Sequence, residues 1–591
     1  MGLEESADSR RRFLAYFSSV GLSSTLFPGV LWAQAQENPA PKITLDMIKS
    51  AEKIAGLEFT DAERELLIDG VNQSLERSLR LREIPLANSV PSCLRFSPIL
   101  SGMKFDMTRR PLRMGKVPVV KRPANLEDAA FWPVTQLSQL IKTRQVTSVE
   151  LTEMYLARLK RYDDKLKFVI TFTDALALEQ AKKADAEIAA GHYRGPLHGI
   201  PWGAKDLISK KGYKTTWGAA PYKDQSFDYD ATIVTRLEEA GAVLVAKLTS
   251  GELAGGDTWF GGQTKNPWNP AEGSSGSSAG PASATGAGCV GFAIGTETGG
   301  SIVGPSTRCG VYGMRPTYGR VSRYGVMTLA WSLDKAGPLC RSVEDCALVL
   351  HALQGPDEKD LTVTDIPFNW DAAAVDIRKL RVGYVKAAFD EPRATKEETQ
   401  NDAAAIEKLR SMGVTLKPIE FPMGPIRDLL AVMYTEFSAA FDDLTRSDRD
   451  DLLARQGRGS DANLYRTNRF VPAVDYIQGT RLRTLLMEEM AKTMSDVDVY
   501  LAPISSGGGR APRAPGTPAP AAGGNSLVGL NTTLTNLTGH PSIVVRNGFH
   551  ANGQPTSFTF TGKVYGEAEM LALASAYQTA TEWHLKHPDL A

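Results

Sequence analysis

Three short stretches of the chain hold side chains able to do chemistry. Residues 199–206 read GIPWGAKD and put Lys205 at the end of a short apolar run, where burial works against the charge of an ammonium group. Asp206 stands next to it as an ordinary ion-pair partner, which is the plainer reading of this segment alone. Residues 266–280 read NPWNPAEGSSGSSAG, a turn-rich entry followed by small hydroxyls and glycines. A flexible linker is the plain alternative there, but small helical residues and a second glycine loop follow directly, where a linker would be polar and then end. Residues 295–302 read GTETGGSI, a nest of backbone N–H donors around the Ser301 hydroxyl and so a place to hold negative charge. Phosphate is one such anion, yet the Walker lysine and the G-x-G-x-x-G spacing are both absent. A Ser-His-Asp arrangement needs a histidine beside its serine, and His198, in the context PLHGIP, reads as a strand-entry residue. No C-x-x-C or H-E-x-x-H spacing suggests a metal, and no cofactor is expected.

The elements that must position these residues follow an α/β pattern. Helical spacing over residues 148–162 and 174–191 alternates with β-type runs at 167–172, 242–246, 380–385 and 542–546, and a last helix falls near 567–584. That alternation predicts a large central sheet covered by helices. Upstream, residues 44–82 read as a helical pair, with Thr60, Asp61 and Glu63 marking the start of its second helix. A proline-punctuated stretch leads from there to residue 123. Residues 505–525 (SSGGGRAPRAPGTPAPAAGGN) form a low-complexity insert with the composition of a surface loop.

Composition narrows the classes. The 591 residues hold 67 Lys plus Arg against 67 Asp plus Glu, so no charge excess marks a nucleic-acid or anionic-membrane partner. With 42% hydrophobic residues a sizeable core is available. Of 53 glycines, 18 fall between Gly251 and Gly319, so the glycine excess belongs to the segment that bears both serine motifs. Five cysteines are too few, and odd in number, for a disulfide framework. Residues 9–14 read SRRRFL and lead into an apolar run and then Ala33-Gln34-Ala35, the layout of a twin-arginine export signal over residues 1–35. The run is too short for a permanent membrane anchor. A mature chain beginning near Gln36 in a bacterial periplasm or outside the cell is the expectation.

Taken together, the three chemical segments resemble the amidase signature family, in which a G-I-P-x-x-x-K-D lysine and two motif serines form a Ser, cis-Ser, Lys triad. In that family the second serine follows the last proline of N-P-W-x-P by seven positions and precedes the nucleophile by 24. Counting from Pro270 and back from Ser301 both give Ser277, whereas Ser274 and Ser275 miss both counts. The resemblance also covers residues 309–325, 332–347 and 536–562, and in all runs from about residue 125 to 587. It implies the amidase signature fold, a large mixed sheet with helices on both faces, here over residues 124–591 and preceded by an N-terminal helical extension over residues 36–123. Ser275 and Ala279 replace motif glycines and Pro281 a motif serine. Glu297 stands for the usual aspartate, and Val303 occupies the place of an arginine whose charge pairing is therefore missing.

The roles that the resemblance implies are catalytic Lys205, Ser277 and Ser301: nucleophile Ser301, base Lys205, and Ser277 as the hydroxyl relay between them. The backbone N–H groups of Thr298, Gly299, Gly300 and Ser301 form the oxyanion hole, and Ser278 supports the network. Lysine ionises near pH 10.4, so a neutral base at pH 7 needs a depression of about 3 units, roughly 4 kcal/mol, which burial can supply. The expected function is hydrolysis of carbon-nitrogen amide bonds, with esters and carbamates as further substrates, through a seryl acyl-enzyme. The expected partner is a small-molecule amide substrate, with no nucleic acid and with a homodimer as the assembly to look for. The alternative is the A-type component of a glutamine-dependent amidotransferase, which makes ammonia for a partner; residues 44–82 resemble the small C-type component of that complex. A catalytically silent scaffold is the third reading, opposed by the intact lysine and serines.

Overall fold

The computed structural model describes residues 42–422, 424–457, 460–505 and 526–590. The expected export signal lies outside the described residues, as do positions 506–525 of the insert. The chain divides into two compact units, one ending at Ala87 and one beginning at Asn88. In the first, helix α1 (Leu45–Ala55) starts where Thr44 accepts a hydrogen bond from the Met47 N–H and stops at Gly56, which takes a left-handed conformation. Helix α2 (Asp61–Arg82) opens with a reciprocal capping box between Thr60 and Glu63. The Arg64 guanidinium bridges back to Glu52 at 2.7 Å and ties the two helices together.

The second unit is built on one mixed sheet of eleven strands: β1 (Val169–Phe172), β2 (Pro201–Lys205), β3 (Val243–Leu248), β4 (Phe292–Glu297), β5 (Tyr312–Arg315), β6 (Lys335–Cys340), β7 (Val382–Val385), β8 (Leu416–Ile419), β9 (Val499–Pro503), β10 (Ser542–Phe549) and β11 (Pro555–Gly562). Their order across the sheet is β1-β3-β2-β4-β6-β5-β10-β11-β9-β7-β8. The runs β3-β2-β4 and β9-β7-β8 are parallel, and the remaining pairs are antiparallel. The β runs read from the sequence at 167–172, 242–246, 380–385 and 542–546 correspond to β1, β3, β7 and β10.

Alternation along the inner strands shows why helices must cover both faces. Leu244 of β3 and Phe292 and Ile294 of β4 enter one apolar cluster with residues of helices Val343–Leu353 and Glu567–Thr581. Val243 and Val245 of β3 and Ala293 of β4 enter another, with Leu156 and Leu159 of helix Ser148–Leu166 and Ala177 and Ala181 of helix Asp174–Ala189. Side chains one apart on a strand point to opposite faces, so each face of these strands is buried. This is the wide mixed sheet with helices on both faces that the sequence predicts. The β2–β4 pairing, Trp202 against Phe292 and Ala204 against Ile294, brings the carboxyl ends of two parallel strands together. Ligands of parallel sheets sit beyond such ends.

Candidate active site

Lys205 is the last residue of β2 and is completely buried. Its Nζ lies 2.8 Å from Ser277 Oγ, 2.8 Å from Thr296 Oγ1 and 3.3 Å from Ser278 Oγ. Asp206 does not pair with it. That carboxylate faces Lys247 at 2.7 Å and accepts hydrogen bonds from the Thr216 N–H and hydroxyl. Lys205 is thus caged by three hydroxyls with no carboxylate in contact, and burial pushes its amine well below the ordinary lysine value, opposed by the more distant charges of Asp334 and Glu297. Of the three hydroxyls, that of Ser277 has no other hydrogen-bond partner among the described residues, so it is free to donate to a neutral amine.

The two neighbouring serines differ in what their hydroxyls have left to give. Ser278 Oγ donates to the Thr296 carbonyl at 3.0 Å and accepts from the Thr296 N–H at 3.1 Å, so its proton is committed to strand β4. Ser277 Oγ has Lys205 as its hydrogen-bond partner among the described residues. It follows a cis peptide bond from Gly276, in keeping with the family resemblance. A Cβ at Gly276 would meet the Gly256 carbonyl oxygen at 1.7 Å, so glycine alone lets the turn into Ser277 pack there. Immediately afterwards the chain enters helix Ala279–Gly286, all of it buried small residues and proline.

Beyond β4 the chain curls through Thr298, Gly299, Gly300 and Ser301. Gly300 has φ of 136°, a conformation that L side chains rarely adopt. None of the four backbone N–H groups donates to a described residue. Gly299 is exposed and Ser301 half-buried. Ser301 joins the network through its backbone carbonyl, which accepts the Ser278 N–H at 3.1 Å, while its hydroxyl makes no hydrogen bond among the described residues. The loop therefore presents unpaired donors and an uncommitted hydroxyl beside the Lys205 network.

Two carboxylates clamp the loop. Glu297 accepts from the N–H groups of Ile302 at 2.8 Å and Val303 at 2.9 Å, from Arg315 at 2.6 Å and from Asn536 at 2.9 Å. Burial pushes its carboxyl up, but Arg315 and Lys335 outweigh that and hold it below the usual range. On the other side, Asp334 accepts from the Thr298 hydroxyl at 2.6 Å. Val303 thus contributes a backbone donor where the family has an arginine, and its side chain packs with Ile504 and Val544. The Arg315–Glu297 pair is fully buried, so Glu297→Gln strips Arg315 of its counter-charge. A loss of about 3 kcal/mol is expected in chemical denaturation, together with reduced turnover; native stability and activity in this variant would show the clamp to be dispensable.

All seven predicted site residues gather at one place: Lys205, Ser277, Ser278 and the loop from Thr298 to Ser301. Sequence reading missed Thr296, Asp334, Asn536 and Arg315. All four sit inside segments that carry the family resemblance, but nothing in those segments states which strands will be neighbours. His198 is buried, accepts from the Arg194 N–H at 3.1 Å and lies 3.2 Å from Glu187, a structural setting away from Ser301.

Comparison with known proteins adds an independent line. A family model described as Amidase matches residues 150–571. The chain is 35% identical over 488 residues to the A-type component of the glutamyl-tRNA(Gln) amidotransferase of Methylococcus capsulatus, covering 77% of this chain and 98% of that protein. It is 36% identical over 480 residues to the protein of the same name from Roseiflexus sp. (strain RS-1), covering 76% and 96%. Among solved structures, the native peptide amidase of Stenotrophomonas maltophilia superposes with a TM-score of 0.65 at 27% identity, over 77% of this chain and 98% of that one. A hydroxyl-caged lysine beside two motif serines, on a sheet shared with amidases and within a match spanning most of the sequence, places this chain in the amidase signature family.

Proposed function

We propose that the protein cleaves carbon–nitrogen amide bonds through an acyl-enzyme on Ser301. The observation that carries this reading is the buried Lys205 amine, held 2.8 Å from Ser277 Oγ by hydroxyls alone. The Ser301 hydroxyl attacks the amide carbonyl carbon and gives its proton to Ser277, whose own proton passes to Lys205. The carbonyl oxygen, now negative, is received by the free N–H groups from Thr298 to Ser301, each donor worth about 3 kcal/mol in the transition state. Collapse breaks the C–N bond, and the amine or ammonia leaves with the proton returned through Ser277. Water then attacks the Ser301 ester by the same route, releasing the acid and restoring the hydroxyl.

A second reading, the glutaminase component of an amidotransferase, is favoured by the curated relatives, whose sequences are covered over 96–98% of their length. Its chemistry up to the acyl-enzyme is the same; the amide is glutamine and the ammonia passes to a partner. The peptide amidase likeness supports a hydrolase that acts alone, and so does the export signal that we propose for residues 1–35. One panel separates the two: glutamine, aryl amides, aliphatic amides and peptide amides, scored by released amine or ammonia with the full chain alone. Turnover of non-glutamine amides without a partner supports the hydrolase. Turnover confined to glutamine supports the amidotransferase reading, as does recovery of the full chain in the cytoplasmic fraction. Inertness toward all four classes contradicts the hydrolase outright.

A further inference from the structure

Asp334 is not part of the proposed proton route, but it grips Thr298 at the start of the oxyanion loop. It follows a turn at Ala330, and its Oδ2 accepts the N–H groups of Leu329 at 2.8 Å and Ala330 at 3.0 Å. Its Oδ1 accepts the Thr298 hydroxyl at 2.6 Å. Burial pushes the Asp334 carboxyl above its ordinary value, while three donors point at it and, with the Arg323 charge, favour the anion. Thr298 begins the loop of free N–H groups, so the Asp334 grip fixes where that loop starts. Thr296, two residues earlier, holds Lys205 Nζ at 2.8 Å, and a small cavity is lined jointly by Thr296, Thr298, Asp334 and Leu329. Low-dielectric surroundings leave the charge of Asp334 poorly screened toward Lys205.

We propose that Asp334 is a positioning residue that holds the Thr298 end of the oxyanion loop and, through its negative charge, governs how readily Lys205 serves as base. The proposal rests on Ser301 as the nucleophile. The charges that act on Lys205 are Asp334 and Glu297. Those that face Asp334 include Arg323, itself paired with Asp360 at 3.1 Å, and Lys335, which donates to Asn536. Glu297 is occupied by Arg315 and the Ile302 and Val303 N–H groups, which leaves Asp334 as the carboxylate whose removal changes the balance around Lys205. A negative charge favours the protonated amine, so its loss makes Lys205 a base at lower pH.

The test reads activation of Ser301 without needing the natural substrate. A fluorophosphonate reacts when the serine oxygen forms a bond to phosphorus, fluoride leaves and the serine proton passes to the base; its labelling rate against pH is measured for the full chain. Asp334→Asn is expected to move the acid limb of that profile down by about one pH unit while lowering the plateau about 10-fold as the loop loosens. Asp334→Glu and Thr298→Val, which keep the charge, are expected to lower the plateau and leave the limb in place. An unmoved limb in Asp334→Asn overturns the proposal, since a merely structural carboxylate changes only the plateau. Should Asp334→Asn not fold, Thr298→Ser against Thr298→Val decides: equal plateaus overturn the proposal, and rescue by the hydroxyl supports it. A wild-type protein that is not labelled at Ser301 overturns the nucleophile assignment and this proposal with it, whereas normal wild-type labelling with an unmoved limb overturns this proposal alone.

Discussion

Replacing Ser301 by alanine is expected to lower amide turnover by about 10⁴-fold or more while leaving the fold intact. The Ser301 hydroxyl has no hydrogen-bond partner among the described residues. Its structural contribution is the backbone carbonyl that receives the Ser278 N–H, which alanine keeps. Stability should therefore change by no more than about 0.5 kcal/mol, the usual range for a side chain without special contacts. Released amine measured beside a thermal unfolding curve checks both halves. Near-native turnover in a folded Ser301→Ala protein would move the nucleophile elsewhere.

Lys205→Ala is expected to be nearly as damaging, about 10³-fold in turnover, and for a different reason. It removes the proton acceptor and also strips partners from the Ser277 and Thr296 hydroxyls, each within 2.8 Å of the amine. Some destabilisation accompanies the loss, because those hydroxyls stay buried. The pH dependence gives the clearer signature. Burial holds the Lys205 amine well below 10.5, and the neutral form is the base. Wild-type kcat/KM therefore rises with pH as the proton leaves, reaches a plateau on the acid side of the ordinary lysine range, and falls again on acidification as Lys205 recharges. The limb should vanish in Lys205→Ala. A limb that survives there at the same pH belongs to another group and refutes lysine as the base.

Much of this site was legible before any coordinates, and the reason is local. Lys205, Ser277 and Ser301 lie in short segments whose glycines and prolines fix the backbone, and two independent counts agree on Ser277 over its neighbours Ser274 and Ser275. The helical pair was equally readable, because Thr60 and Glu63 satisfy each other within four residues. What stayed hidden depends on neighbours far apart in sequence. Thr296 meets Lys205 across 91 positions and Asn536 meets Glu297 across 239, and no periodicity records such pairings. Asp206 shows the same limit from the other side: adjacency suggested a pair with Lys205, but successive residues at a strand end diverge, and Lys247 of β3 takes the carboxylate instead.

The β2–β4 contact has one more consequence. Lys205 reaches Ser277 and Thr296 only while Trp202 faces Phe292 and Ala204 faces Ile294. A slip of one position between these strands would turn the amine to the opposite side of the sheet, leaving secondary structure content nearly unchanged and the chemistry gone. Every residue of β2 is buried, so the core that holds the strand also disfavours such a slip. The packing that stabilises the fold is therefore what keeps the amine on the side of the sheet where the serines are.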